Sequence, residues 1–418
     1  MSQAVVSLNA GMLLPVLAPA IGAAVVLVVD VAAPRLRRTH YLVALVSLVI
    51  GAVATFAGLG MGSGVVRQTL CLPGGGQCMY AGDAVASALQ LAALLAAGVT
   101  LLLSWPDDKK QSTGGTAVIV SLVLAATAGA TAVAGARDLG SWLVALELAT
   151  LPTVALVALR GARSAISGAI ALLTTALVSF ALLALSAALW FTATASPFLT
   201  PAAALTAFND PSRRPILVLA VALVIAGIGF KLSLVPFHAW TPEAYDGAPL
   251  PIAAFLAGVS KIAALAALLV VIRAIAPLGA PVLTSIAIVA AVSMTLGNIM
   301  ALRQDGVVRL LAWSTVAQAG WVVMPLASVS SAAVFASGAY LLAYVLATLL
   351  AFAVVAALVQ TRGAARARDL ASYRGLVQDH PVLAAALGLA LMSLAGLPPG
   401  VLGLVAKVTA LRPVVSSE

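Results

Sequence analysis

RPILVLAVALVIAGIGFKLSLVPFHAW, residues 214–240, combines an apolar run of about 20 residues with one lysine and then a proline. As a helix rising about 1.5 Å per residue, such a run crosses about 30 Å of hydrocarbon. Lys231 falls inside the run. Pro236, five residues later, cannot donate the backbone hydrogen bond that a continuing helix needs. A cation inside an apolar span, next to a helix break, belongs to a membrane helix that lines a polar cavity or is covered by protein.

Similar runs recur along the chain. Spans are expected near 11–34, 41–60, 82–104, 116–136, 139–159, 165–195, 215–236, 251–272, 281–302, 307–328, 333–358 and 381–410. That predicts an all-α, polytopic membrane helical bundle of about 12 transmembrane helices with short polar loops. Helices are expected because an open strand cannot satisfy its edge groups in lipid. Composition agrees: of 418 residues, 63% are hydrophobic and 8% charged. A soluble domain carries about 25% charged residues and needs them to cover its surface. Met1–Ala10 lacks the positive segment of a cleavable signal, so the first span is expected to stay as an anchor.

The formal charge of +9 does not point to nucleic acid, because the basic residues are scattered over short loops without interleaved aromatics. They read as topogenic charge. Counting loops from the first span, the odd loops hold Arg35, Arg37, Arg38, Lys109, Lys110, Arg160, Arg163, Arg303, Arg309, Arg362, Arg366, Arg368 and Arg374. The other side holds Arg67, Arg137, Arg213, Arg214, Arg273 and Arg412. This excess predicts cytoplasmic odd loops and an external N-terminus. Loop 196–214 is then the longest outside, and loop 359–380, with room for a short amphipathic stretch, the longest inside. Cys71 and Cys78 share the external loop 61–81. Either a disulfide or two free thiols fits that placement, and two cysteines exclude a four-cysteine metal site.

The three remaining basic residues, Lys231, Lys261 and Lys407, fall inside spans, and Glu147 is the acid well inside one. A charge at mid-membrane costs about 2.5–3.5 kcal/mol on insertion scales, so these four are expected to face the bundle interior and mark an ion or proton path. Lys407 follows a second break, eight residues after Pro399. A desolvated ammonium releases its proton more readily, and a nearby carboxylate restores its hold, which suits a relay. The competing readings are a static Glu147–Lys231 ion pair joining two helices, and an ion or solute site. His238 is expected just past the break, at the mouth of its span, either exchanging protons with water or simply packed. Ser314, Thr315 and Gln318 share a span and either hold water or make ordinary interhelical hydrogen bonds. No role is expected for His40 or His380. No phosphate loop, dinucleotide fingerprint, haem or iron–sulfur pattern is present, so no cofactor or metal is expected on this chain.

Four stretches carry a resemblance. They are FKLSLVPFHAWTPEAYDGAPLPIAAFLAGVSKIAAL (230–265), ALRQDGVVRLLAWSTVAQAGW (301–321), GAYLLAYVLATLLAFAVVAAL (338–358), and DLASYRGL followed by SLAGLPPGVLGLVAK (369–376, 393–407). Together they resemble the proton-conducting, antiporter-like membrane subunits of respiratory complex I, over about residues 115 to 410. TPEAYDGAP with the YLLAYVLATLLAFAVV run leans toward one subunit type among the sisters.

The resemblance implies two five-helix repeats of inverted topology, each with a broken helix. On that reading residues 1–115 are N-terminal helices, 116–275 the first repeat and 276–418 the second. It implies a proton-translocation role for Glu147 paired with Lys231, for Lys261 on the central axis, and for Lys407 near the exit. It implies other complex I membrane subunits as partners in a bacterial cell membrane, and NADH and quinone as substrates handled by other subunits. Two departures are visible. Gln318 stands where the family usually has histidine. The family also continues for about two helices beyond the second break, so with Glu418 as the last residue the second repeat is expected to be incomplete. A multisubunit cation/proton antiporter and a non-pumping scaffold are the alternatives.

Overall fold

The computed structural model of the chain describes residues 8–33, 36–62, 64–72, 76–105, 115–328 and 330–415. Arg35, Lys109 and Lys110 lie outside them. The first helices are α1 (Ala10–Ala32) and α2 (Arg37–Leu59), followed by strands β1 (Arg67–Cys71) and β2 (Cys78–Gly82). Then come α3 (Ala84–Leu103), α4 (Thr116–Gly135), α5 (Leu139–Ala158), α6 (Arg163–Thr194), α7 (Pro201–Asn209) and α8 (Arg214–Leu232). The centre is built by α9 (Trp240–Gly247), α10 (Leu250–Ala257) and α11 (Val259–Ile275). The last third holds α12 (Ala280–Ala301), α13 (Val307–Val323), α14 (Ser331–Arg362), α15 (Ala364–Arg368), α16 (Leu376–Asp379), α17 (Pro381–Ala395) and α18 (Val401–Val415). Among the described residues, eleven helical segments are long and apolar enough to cross a membrane.

The expected boundaries hold within a few residues for most spans, and three segments differ. The run expected at 251–272 is interrupted at Gly258, which separates α10 from α11. The run expected at 381–410 is two helices of 15 residues each, α17 and α18, parted by Gly396–Gly400. Loop 61–81, expected as an external loop of an all-α bundle, holds an antiparallel hairpin that pairs Arg67 with Gly82 and Cys71 with Cys78. Its strands lie outside the spans, where the lipid argument against open strands does not apply.

A disulfide joins Cys71 to Cys78 across this hairpin. An impermeant maleimide added to intact cells is therefore expected to label these cysteines only after reduction. Labelling without reduction contradicts the bond, and labelling only after permeabilisation contradicts an external hairpin.

Capping side chains start several helices. Asp83 accepts from the Ala86 amide at 2.7 Å, Asp138 from Ser141 at 2.9 Å, and Ser330 from Ala333 at 3.1 Å. Each satisfies a backbone donor that the first turn leaves open. The hairpin is pinned to the bundle through Tyr80, whose hydroxyl accepts from the Gln90 amide at 2.6 Å. A Cβ on Gly135 would lie 2.3 Å from the Tyr80 ring, so only glycine admits that ring. Asp83 also binds Arg273 at 2.6 Å. Next to them, burial pulls the Arg137 guanidinium down to about 10, with Arg273 adding to the effect and Asp83 and Tyr80 opposing it. The loops after α2, α4, α6 and α11 thus meet at one end. At the other end Arg368 binds Asp246 at 3.2 Å, and Arg309 binds Glu243 at 3.3 Å. The loop at 359–380 consists of short helical pieces at that end, tied by Arg362 to Asp379 at 2.5 Å.

Helix α11 forms the axis of the molecule. It is apolar on every face, and nearly every residue from Val259 to Ile275 is buried. A helix without a polar stripe finds its solvent in other helices rather than water. Trp142 of α5 donates to the Ala267 carbonyl of α11 at 3.3 Å. Ser179 and Ser186 of α6 donate to the Gly227 and Ala220 carbonyls of α8, each at 2.7 Å. These bonds fix helix to helix where the hydrophobic effect gives no preference between neighbours and lipid. A lysine on α11 therefore has no route to lipid.

Candidate functional site

The site starts at the break after α8. Ser233 takes a left-handed conformation at φ 66°, and the chain stays non-helical until Trp240. The turn returns two amides to the helix end, Leu234 to the Gly229 carbonyl at 2.9 Å and Ser233 to the Phe230 carbonyl at 3.2 Å. Trp240 Nε1 donates to the Phe230 carbonyl at 2.8 Å, and the Val235 amide donates to Ser293 Oγ on α12 at 2.9 Å.

Lys231 points inward and is 8% exposed. Its Nζ lies 2.8 Å from Glu147 Oε1 and 2.9 Å from Thr150 Oγ1, both on α5. Glu147 and Thr150 are three residues apart and so share a helix face.

Lys261, 2% exposed, lies one step further. Its Nζ donates to the Lys231 carbonyl at 3.0 Å and to Ser233 Oγ at 2.5 Å. Ser233 Oγ in turn lies 2.5 Å from Thr241 Oγ1. The Lys261 ammonium also sits over the Trp240 ring, 4.8 Å from its centroid. Among the described ion pairs, none brings a carboxylate to Lys261. Its charge rests on one helix-end carbonyl, the Ser233 hydroxyl and an aromatic face, all favourable to a cation.

The second break repeats the arrangement. Lys407 Nζ donates to the Ala395 carbonyl at the end of α17 at 2.7 Å. It lies 4.8 Å from the Trp321 ring centroid. Gly396 turns the chain at φ 74°, and a Cβ there would meet Lys407 Cδ at 2.6 Å, so the lysine stem occupies the space that glycine leaves. Each break therefore presents a carbonyl, a tryptophan face and a lysine from another helix.

A set of hydroxyls and one amide on α13 and α14 leads up to the second break. Thr315 of α13 accepts from the Tyr344 hydroxyl at 3.0 Å. One turn on, Gln318 Nε2 donates to the Leu394 carbonyl at 3.0 Å, and the Tyr340 hydroxyl donates to Gln318 Oε1. Tyr340 stacks on Trp321, the ring beneath Lys407. Gln318 thus ties α13 and α14 to the end of α17.

Of the residues singled out from sequence, Glu147, Lys231 and Lys261 come together, and Lys407 stands apart at its own break. Gln318 joins the set on α13 and α14. Ser314 is half-buried, and none of the described hydrogen bonds uses its side chain; its neighbour Thr315 takes the place instead. His238 is not at the end of its element, because α9 resumes two residues later. It lies inside the break with its ring 5.2 Å from Trp313. Thr150, Ser233, Trp240, Thr241, Trp321, Tyr340 and Tyr344 were not singled out. Thr150 could have been found from its three-residue spacing to Glu147. The aromatic residues carry no pattern that separates them from core packing.

Known proteins share both sequence and fold. A family model described as NADH:quinone oxidoreductase/Mrp antiporter, TM, matches residues 136–418. NADH-quinone oxidoreductase subunit N of Salinispora tropica is 40% identical over 414 residues, covering 96% of this chain and 78% of that one. A chain of respiratory complex I from Thermus thermophilus, solved with bound aureothin, superposes with a TM-score of 0.76 at 31% identity, covering 96% of this chain and 83% of that one. A chain of the Mrp complex from Dietzia gives a TM-score of 0.78 at 20% identity, covering 97% and 75%, which is a likeness of fold alone. The chain belongs to the NADH:quinone oxidoreductase/Mrp antiporter family of membrane proteins.

Proposed function

We propose that this chain is a proton-translocating subunit of an NADH-quinone oxidoreductase. It assembles with other complex I membrane subunits in a bacterial cell membrane, with its N-terminus outside. Electrons pass from NADH to quinone in other subunits, and this chain binds neither. The observation that carries the reading is Lys261. A lysine with 2% exposure, held by a helix-end carbonyl and the Ser233 hydroxyl rather than, among the described residues, by a carboxylate, is a costly choice for a purely structural position.

Glu147 and Lys231 form the first station, Lys261 the central one and Lys407 the station at the second break. Residues 116–275 and 276–418 are the two repeats that supply the breaks. The contact between the first two stations runs through the Lys231 carbonyl, which has no proton to give. Transfer must therefore pass by Ser233, Thr241 or water, within hydrogen-bond reach. From Lys261 toward Lys407 the route follows Thr315, Tyr344 and Tyr340. The Gln318 amide holds the geometry there and carries no proton itself.

Inverted membrane vesicles from a strain lacking this chain, with and without the gene restored, test the reading. NADH-driven proton uptake is expected only after restoration. Sodium-for-proton exchange that ignores NADH would favour the cation antiporter, and full uptake without the chain would leave only a scaffold.

A further inference from the structure

A cavity of about 510 Å³ opens at the bundle end opposite the hairpin, among the ends of α2, α3, α4, α5, α10 and α14. The proton route does not use it. Arg37, Arg160 and Arg368 line it, and among the described residues no acidic side chain does. Arg368 already serves the fold, since it donates to the Asp246 and Ala248 carbonyls at 2.6 and 2.9 Å and pairs with the Asp246 carboxylate. The side chains of Arg37 and Arg160 are exposed, and Arg160 donates to the Asp246 carbonyl at 3.4 Å. With Asp246 counted against Arg368, two positive charges among the described residues face the cavity.

The rest of the lining is largely apolar. Tyr41 and Trp105 belong to it, their ring centroids 5.6 Å apart, and the Tyr41 hydroxyl donates to the Ser104 carbonyl at 2.6 Å. Ile119, Leu156, Ile252 and Val359 add an aliphatic wall. Guanidinium groups, aromatic rings and aliphatic side chains in one cavity match the headgroup, interfacial and acyl parts of a phospholipid.

We propose that this cavity binds an anionic phospholipid, with the phosphodiester between Arg37 and Arg160 and the acyl chains along the aliphatic wall. The positive field argues against a proton entrance, because it repels hydronium. Arginine in a planar fork suits phosphate oxygens better than lysine would. Burial and the neighbouring Arg160 pull the Arg368 pKa down, and Asp246 offsets them only in part. An anion in the cavity relieves that crowding. The inference stands on the cavity alone and does not depend on proton transport.

Native mass spectrometry of the purified full chain tests it, with phosphatidylglycerol titrated against phosphatidylcholine of the same acyl chains. A basic residue near an anionic headgroup changes binding roughly fivefold, so the pair Arg37→Gln/Arg160→Gln is expected to reduce the preference for phosphatidylglycerol roughly 30-fold. Arg37→Lys/Arg160→Lys keeps most of it. Arg213→Gln/Arg214→Gln, with the same charge change at the other end, leaves it intact. If the glutamine pair does not yield folded protein, Arg160→Gln alone is expected to cost roughly fivefold. An undiminished preference in the glutamine variants overturns the site. So does an equal loss in the Arg213/Arg214 control, which would mean general surface charge. Displacement of the lipid by inorganic phosphate would make it a soluble-anion site and overturn the lipid assignment.

Discussion

Replacing Lys261 with methionine is expected to lower NADH-driven proton pumping at least ~tenfold in a complex that still assembles. Methionine keeps the length of the stem and fits a buried apolar site, so α11 keeps its packing. The protonatable group is lost, along with its bonds to the Lys231 carbonyl and Ser233. Because the site lacks a carboxylate partner among the described residues, the change strands no opposite charge. Assembly is therefore expected to survive, and blue-native gels of the complex would check it. Arginine at the same position separates charge from chemistry. Its guanidinium keeps the charge but does not deprotonate in proteins. Where Lys261→Arg assembles, pumping is expected to fall as in Lys261→Met. A pumping arginine variant would make the residue a fixed charge.

The Glu147–Lys231 pair should behave differently, because here removing one partner strands the other. At 2.8 Å, with side chains 13% and 7% exposed, the pair is desolvated. Breaking such a pair from one side costs about 3–5 kcal/mol, whereas replacing both partners by neutral groups of similar shape is often close to neutral. Lys231→Met is therefore expected to reduce the amount of assembled complex, with Glu147 left to bind a proton or water. Glu147→Gln/Lys231→Met is expected to recover most of that loss, so the two changes are strongly non-additive. Complex yield and thermal stability of the two single variants and the double variant measure it. Additive losses would mean that the two side chains do not act as a pair.

How legible was this in the sequence? The spans were legible because 20-residue apolar runs have few other uses, and the four intramembrane charges because each is costly in lipid. The approach of Glu147 to Lys231 followed from the same cost. The pairing of Arg67–Cys71 with Cys78–Gly82 was not legible, since two five-residue strands leave a weak pattern beside apolar helices. The kink at Gly258 hid inside an unbroken apolar run. His238 was misplaced because a proline signals where a helix stops and not where the next one starts. The resumption at Trp240 depends on tertiary packing, including the Trp240 bond to Phe230. The paired tryptophans under Lys261 and Lys407 were invisible for a similar reason. Trp240 is 21 residues from its lysine and Trp321 is 86, so only the fold brings each pair together.

The most direct test is proton uptake by proteoliposomes holding the assembled complex with Glu147→Gln/Lys231→Met, beside the parent at equal complex content. The double variant restores packing and removes both ionisable groups, so it separates transport from architecture. NADH-driven uptake is expected to fall to a small fraction of the parental value, with quinone reduction slowed alongside it. Uptake and turnover at the parental rate would show that the pair only holds α5 to α8, and would contradict the relay.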